Sequence, residues 1–211
     1  MLESNAMTDS NLARPVLFLA GLLVIVLTLV WLPFGLLGLL GFIWLVLVSR
    51  PPHPGAVRPR PEFICAPIDG HLLEVRQSSE KVILSFQTGW LSSHVWVMPI
   101  AAEIDQNLFI DGVFLDNDDA ASRQLNARRE VEMLAESGAR LTLVQWGGPL
   151  ARYLACPAPE GRKMTVGTAA GLTLLHGRID LVLPAGSKIL AQPGMRCLAG
   201  ETILAEQAEL S

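Results

Sequence analysis

The sequence predicts a mainly β protein: a compact β-barrel or sandwich domain behind an N-terminal transmembrane helical hairpin. Three observations predict it. No residue from Pro15 to Val48 is charged, a run longer than the ~20 residues that cross a bilayer as one helix. A stretch rich in proline and arginine follows, and it cannot be helical. Beyond it, short apolar runs alternate with turn signals about every ten residues, and no long amphipathic helical pattern appears.

The apolar run divides at Leu32-Pro33-Phe34-Gly35, where proline removes a backbone donor and glycine loosens the chain. This predicts two helical arms, 15–31 and 36–48, with the turn near Pro33. A single tilted helix kinked at the proline is the alternative. Arg14 lies before the run, and Arg50, Arg58 and Arg60 lie after it. Basic residues at both ends place both ends on the cytoplasmic side of an inner membrane, which favours the hairpin. Each arm is short for a bilayer core, so the hairpin is expected deep in one leaflet or across a thinned bilayer. Residues 1–14 form a tail. Within it, Ser4-Asn5-Ala6 before Met7 reads as the scar of a cleaved expression tag, so residues 1–6 are excluded from the fold reading. Residues 49–61 hold five prolines and three arginines and read as an extended linker.

Residues 62–211 form the β domain. Phe63–Ala66 is a short strand leading to a turn at Asp69-Gly70, a pair that favours tight hairpins. His71–Val75, Lys81–Phe86 and His94–Met98 follow as strands, the last stopped by Pro99. Leu108–Phe114 is apolar around Asp111-Gly112, and Asn117–Asn126 is a polar, acidic surface loop. Glu130–Leu134 and Arg140–Trp146 pair around Glu136-Ser137-Gly138. Leu174–Pro184 reads as one buried strand whose short polar interruption contains His176, Gly177 and Arg178.

A net charge of −4 with no basic run excludes a nucleic-acid partner. Cys65, Cys156 and Cys197 are odd in number and widely spaced, and none lies at zinc-ligand spacing from a histidine. They read as reduced, buried thiols, and no metal site is expected.

Several short stretches recur in one order: Ala66-Pro67-Ile68-Asp69-Gly70, His94-Val95-Trp96-Val97-Met98-Pro99, Asn126-Ala127-Arg128, Val144-Gln145-Trp146-Gly147-Gly148, Arg178-Ile179-Asp180-Leu181-Val182-Leu183-Pro184 and Ala199-Gly200-Glu201-Thr202. Singly they are generic. In this order and at these distances, behind two apolar arms, the chain resembles the short, membrane-bound phosphatidylserine decarboxylases. The resemblance implies a serine that cuts its own chain and becomes a pyruvoyl cofactor, and a histidine oriented by an aspartate as the base for that step. It maps the aspartate onto Asp69 and the histidine onto His94, and it makes Asn126 and Arg128 substrate contacts. Aligning Arg178, Asp180 and Pro184 without a gap puts Gly177 where the serine belongs, with His176 in place of the family's glycine. Val97 stands where the family carries an arginine.

A glycine can neither attack nor become pyruvoyl, so no cofactor is expected. Thr173 is the nearest hydroxyl upstream, about 13 Å away if the chain is extended. The resulting expectation is a membrane-anchored family member unable to process itself, binding membrane phospholipid or regulating an active relative, with the chain itself as a further oligomeric partner. An active decarboxylase with unusual processing or a shared site, and a non-enzymatic membrane scaffold, are the alternatives.

Overall fold

The computed structural model describes residues 14–52, 60–117, 120–175 and 177–207. Most of the linker, His176 and both chain ends lie outside them. Two helices, α1 (Arg14–Val30) and α2 (Leu32–Val48), come first. Then follow β1 (Phe63–Cys65), β2 (Gly70–Gln77), β3 (Lys81–Thr88), β4 (Val95–Val97) and β5 (Ala102–Ile110). A short helix α3 (Ala120–Leu125) precedes the hairpin β6 (Arg128–Ala135) and β7 (Arg140–Trp146). The remaining strands are β8 (Leu154–Ala155), β9 (Lys163–Met164), β10 (Ala169–Thr173), β11 (Arg178–Pro184), β12 (Lys188–Ile189), β13 (Arg196–Cys197) and β14 (Ile203–Glu206).

The domain is mainly β, as predicted, but no barrel closes among the described residues. One antiparallel eight-stranded sheet has the order β13-β2-β3-β11-β7-β6-β5-β9, with β13 and β9 as open edges. Two three-stranded sheets, β1-β14-β12 and β4-β10-β8, supply the rest. Alternation along the strands decides the faces. Val82, Leu84 and Phe86 of β3, Leu141 and Leu143 of β7, and Ile179, Leu181 and Leu183 of β11 point to one side. There they share a core with Ile64, Trp96, Met98 and Leu204 from the small sheets. Each such buried side chain stabilises the fold by roughly 1.5–3 kcal/mol. All three cysteines are free and buried, and burial pushes Cys65 and Cys197 up to about 11.

Three expectations are corrected. The proline does not make the turn between the arms. The helix breaks at Trp31 alone, and Pro33 sits in the first turn of α2, where its missing N–H has no partner to lose. Asp69-Gly70 does not close a hairpin, because β1 pairs with β14 while β2 pairs with β3 and β13. Leu174–Pro184 is not one strand: β10 ends at Thr173, the chain turns through Leu174-Leu175, and β11 begins at Arg178 in a different sheet.

The two helices pack closely. A Cβ at Gly35 would lie 2.8 Å from Thr28 Cα, and one at Gly38 would lie 3.3 Å from Leu27 Cδ1. The hairpin is therefore present, but its transmembrane reading is not carried by length. Each helix has 17 residues, about 25 Å at 1.5 Å per residue, and no helix among the described residues is long and apolar enough to cross a membrane.

Candidate functional site

Two of the sequence motifs, around Asp69 and His94, lie where the end of α2 meets the β domain. Asp69 stands just before β2, and its Oδ1 accepts a hydrogen bond from the Ala199 N–H at 2.8 Å. Gly200 N–H donates to Ala66 O, and Ala66 N–H donates to Thr202 O, both at 2.8 Å. The stretches 66–70 and 199–202, far apart in the chain, are thus stitched edge to edge. Glycine is required at position 70, because a Cβ there would overlap the Gln87 carbonyl of β3.

His94 is fully buried immediately before β4. Its N–H donates to Val48 O, the last residue of α2, at 2.7 Å, and its carbonyl accepts from Thr173 N–H at 3.0 Å. The ring Nε2 lies 3.2 Å from Gly89 O, and the Trp44 indole packs edge-on against the imidazole, 6.0 Å between centroids. Asp69 does not hydrogen-bond His94 among the described residues. The resemblance pairs them, whereas here the carboxylate serves the backbone of Ala199.

Gly177 links these two regions. Its carbonyl accepts from the Thr88 N–H and hydroxyl, each at 3.4 Å, and Thr88 pairs across the ladder with Gly70 beside Asp69. On its other side lies Thr173, whose γ-methyl occupies the place a Gly177 side chain would take. Thr173 is therefore at the site and not some 13 Å away, because the turn folds β10 back towards the start of β11. Leu175 has φ +64° in that turn, a left-handed conformation that costs a leucine of order 1 kcal/mol. The Thr173 hydroxyl accepts from Gln145 Nε2 at 2.7 Å, and Gln145 Oε1 is buried with no hydrogen-bond partner among the described residues. His176 lies outside the described residues.

The other predicted residues fall elsewhere. Asn126 is fully buried and saturated: Nδ2 donates to Leu115 O, Asn117 Oδ1 and Gly147 O, and Oδ1 accepts from Leu115 N–H. It fastens the loop after β5 to the end of β7. Arg128 lies on the face of the eight-stranded sheet away from the core, with Nε donating to Glu130 at 2.6 Å and the guanidinium over the Trp146 ring. The same face carries Arg178, which donates to Glu74 at 2.6 Å and Asp180 at 3.3 Å, while Trp146 Nε1 donates to Asp180 at 2.9 Å. Partial burial works against ionising Glu74, but the Arg178 hydrogen bond and the nearby Arg76 outweigh it and hold the carboxyl below its ordinary range. Val97 of β4 is buried and pairs with Ala169 of β10. Among the described residues no cluster of His, Cys, Asp or Glu could hold a metal ion.

Sequence reasoning did not single out Thr88, Thr173 and Gln145 together. Gln145 was visible only as part of a generic stretch, and the contact between Thr173 and Gly177 depends on a turn that the apolar run Leu172-Thr173-Leu174-Leu175 conceals.

An open antiparallel sheet backed by two small sheets, with a buried histidine where the domain meets the end of α2, defines a small mainly β domain joined to a helical hairpin. Comparison with known proteins extends this. The family model described as phosphatidylserine decarboxylase matches residues 47–205. A phosphatidylserine decarboxylase proenzyme of Mycobacterium avium is 34% identical over 165 residues, covering 73% of this chain and 69% of that protein. The proteins of the same description from Nocardia farcinica and Saccharopolyspora erythraea are 32% and 28% identical. The first alignment covers 72% of this chain and 69% of the relative, and the second covers 92% and 86%. The chain belongs to the phosphatidylserine decarboxylase family.

Proposed function

We propose that this chain is a membrane-associated member of its family that does not cut itself and forms no pyruvoyl group. In this reading it binds phospholipid at the cytoplasmic face of the inner membrane, or regulates an active relative there. The observation that carries the reading is the environment of Gly177. Glycine offers no oxygen to attack the preceding carbonyl, and the Thr173 methyl fills the place where a side chain would stand. A self-derived pyruvoyl group does not fit that position. His94, which the resemblance makes the base for such a step, faces Gly89 O and the Trp44 ring and is not hydrogen-bonded to Asp69.

Membrane association is supported by the hairpin surface. Phe18, Leu19, Leu23, Leu29, Leu37 and Leu40 are each more than half exposed, an apolar face far larger than soluble monomers present. Helices of 17 residues suit insertion into one leaflet or a locally thinned bilayer. Arginines just beyond the apolar run favour the cytoplasmic side.

The intact mass of the purified chain tests the reading. One full-length species, with no phosphatidylethanolamine formed from added phosphatidylserine, is the expected result. A second reading, processing from Thr173, is favoured by one finding: Thr173 packs against Gly177, and its buried hydroxyl is held by Gln145. Two fragments divided between Leu172 and Arg178, with a ketone on the new N-terminus, would establish that reading and end the first.

A further inference from the structure

The turn between β3 and β4 carries an apolar tip. β3 ends at Thr88, Ser92 N–H donates to Gly89 O at 3.2 Å, and Trp90 and Leu91 stand at the bend between them. Trp90 is 51% exposed and Leu91 78%. Turns on a protein surface are ordinarily built from glycine, proline and small polar residues, so two large apolar side chains facing outward here call for a reason.

Trp44 fixes where this tip lies along the hairpin. Its Nε1 donates to Trp90 O at 2.8 Å, and Trp44 precedes the last residue of α2 by four positions, about 6 Å along the axis. The tip therefore sits alongside the end of α2 and not beyond it. Val46 and Leu47, in the last turn of α2, are still more than a third exposed. Leu47 and Leu91 line one cleft of about 420 Å³, and the exposed Leu198 joins them there. The exposed apolar surface of the hairpin is thus continued by side chains of the β domain. Arg50, Asp69, Arg196 and Glu201 line the same cleft, so charged groups stand next to the leucines. Apolar side chains that end among charges, with indoles beside them, are the composition of a surface resting at the boundary of hydrocarbon and headgroups.

We infer that the Trp90-Leu91 tip is a second membrane contact, made by the β domain itself, which holds the domain against the lipid surface in one orientation. A lipid layer that covers α2 down to Leu47 also reaches the tip, because the two lie at one level. The contact is with the hydrocarbon boundary and calls for no particular headgroup. It also orients the sheet. The tip springs from the end of β3 where Gln87, Arg178 and Trp146 lie side by side. The β6–β7 turn at Glu136 closes the opposite end, roughly 20 Å away along β7, and is therefore directed away from the bilayer. The inference rests on the proposed membrane-associated reading and adds to it which edge of the domain faces the lipid. Neither Trp90 nor Leu91 belongs to any of the sequence motifs.

The test uses the full chain in vesicles of equal parts phosphatidylcholine and phosphatidylglycerol, with an environment-sensitive fluorophore on a single introduced cysteine. The variants are Leu91→Cys at the tip, Leu37→Cys on the exposed surface of α2, and Glu136→Cys in the β6–β7 turn. The three native thiols are buried and stay unlabelled in the folded chain. All three substituted side chains are exposed, so each variant is expected to melt with wild type. Acyl chains brominated near the headgroup should quench the Leu37 and Leu91 probes severalfold more than the Glu136 probe, and the Leu91 emission should move to the blue when vesicles are added. Quenching at Leu37 without quenching at Leu91 would overturn the second contact and leave the membrane-associated reading standing. Equal quenching at Leu91 and Glu136 would also overturn it, because the domain would then have no fixed edge towards the lipid. No quenching at any of the three positions would defeat the membrane-associated reading and the second contact together.

Discussion

At the scale of single residues, Gly177 and Thr173 form a matched pair. The Thr173 side chain is fully buried, its hydroxyl is held by Gln145, and its methyl fills the space over Gly177. A side chain added at 177 therefore meets an atom that cannot swing away without breaking a buried hydrogen bond. Gly177→Ser is expected to destabilise by about 1–3 kcal/mol, the usual cost of overpacking. That corresponds to a melting temperature lower by about 2–12 °C in a chain of this size. Adding Thr173→Ser removes the methyl, keeps the hydroxyl and restores at least half of the loss. If Gly177→Ser melts with wild type, the overlap relaxes without cost and the pairing is wrong. The sequence located Gly177 by its distance from Arg178, Asp180 and Pro184, but it could not reveal Thr173 as its neighbour. Leucines on both sides of Thr173 look like strand, and a leucine at φ +64° is a conformation no propensity anticipates. Asn126 shows the opposite limit. Its position in a motif was legible, but the four hydrogen bonds that occupy it depend on where Leu115, Asn117 and Gly147 arrive in space.

At the scale of elements, what the sequence revealed depended on how local the cause was. The strand pair β6–β7 was legible because alternation and the Glu136-Ser137-Gly138 turn are local, and Gly138 has the positive φ that its turn requires. Pairing between distant strands was not. β11 lies between β3 and β7, and β5 joins β6 across a long loop, choices made by the core face and not by any neighbouring turn. The start of β5 was missed because Ala102-Glu103-Ile104-Asp105-Gln106-Asn107 carries little strand propensity and owes its conformation to β6. The apolar arms were legible as helices, but their junction was misplaced, since proline is as suitable in a first turn as it is unsuitable later. What holds the arms together is Gly35 against Thr28. A Cβ at Gly35 meets backbone as well as side chain, so the helices must separate to admit one. Gly35→Leu is expected to splay the hairpin. Disulfide trapping between cysteines introduced at Leu27 and Gly38 should be efficient in the parent chain and fall severalfold with Gly35→Leu. Equal trapping in both would show that the close approach does not set the helix spacing.

At the scale of the whole molecule, the hairpin and the β domain are coupled through the candidate site. Val48 of α2 packs with Val95, Leu172 and Leu174, and Trp44, Leu45, Val16 and Leu17 pack against that group. Three hydrogen bonds fix the joint: His94 N–H to Val48 O, Ser93 Oγ to Arg50 O, and Trp44 Nε1 to Trp90 O. Residues 89–95 are thus held on one side by the hairpin and on the other by β10, which ends at Thr173. A shift of the hairpin would reach His94 and Thr173 directly, whereas the core of the eight-stranded sheet is a separate cluster that meets the joint through β4, whose Trp96 it includes. Trp44→Ala removes the indole from the His94 ring and the hydrogen bond to Trp90. Amide hydrogen exchange should therefore quicken about tenfold or more in 89–95 and 172–175, through local opening. Exchange in β3, β7 and β11 should stay as in wild type. Faster exchange everywhere would mean that the indole supports the whole fold, and unchanged exchange in 89–95 would mean that Val48 and Arg50 hold the joint without it. Selective loosening would make the hairpin one wall of the site, so that the position of the hairpin and the way His94 is held become one variable.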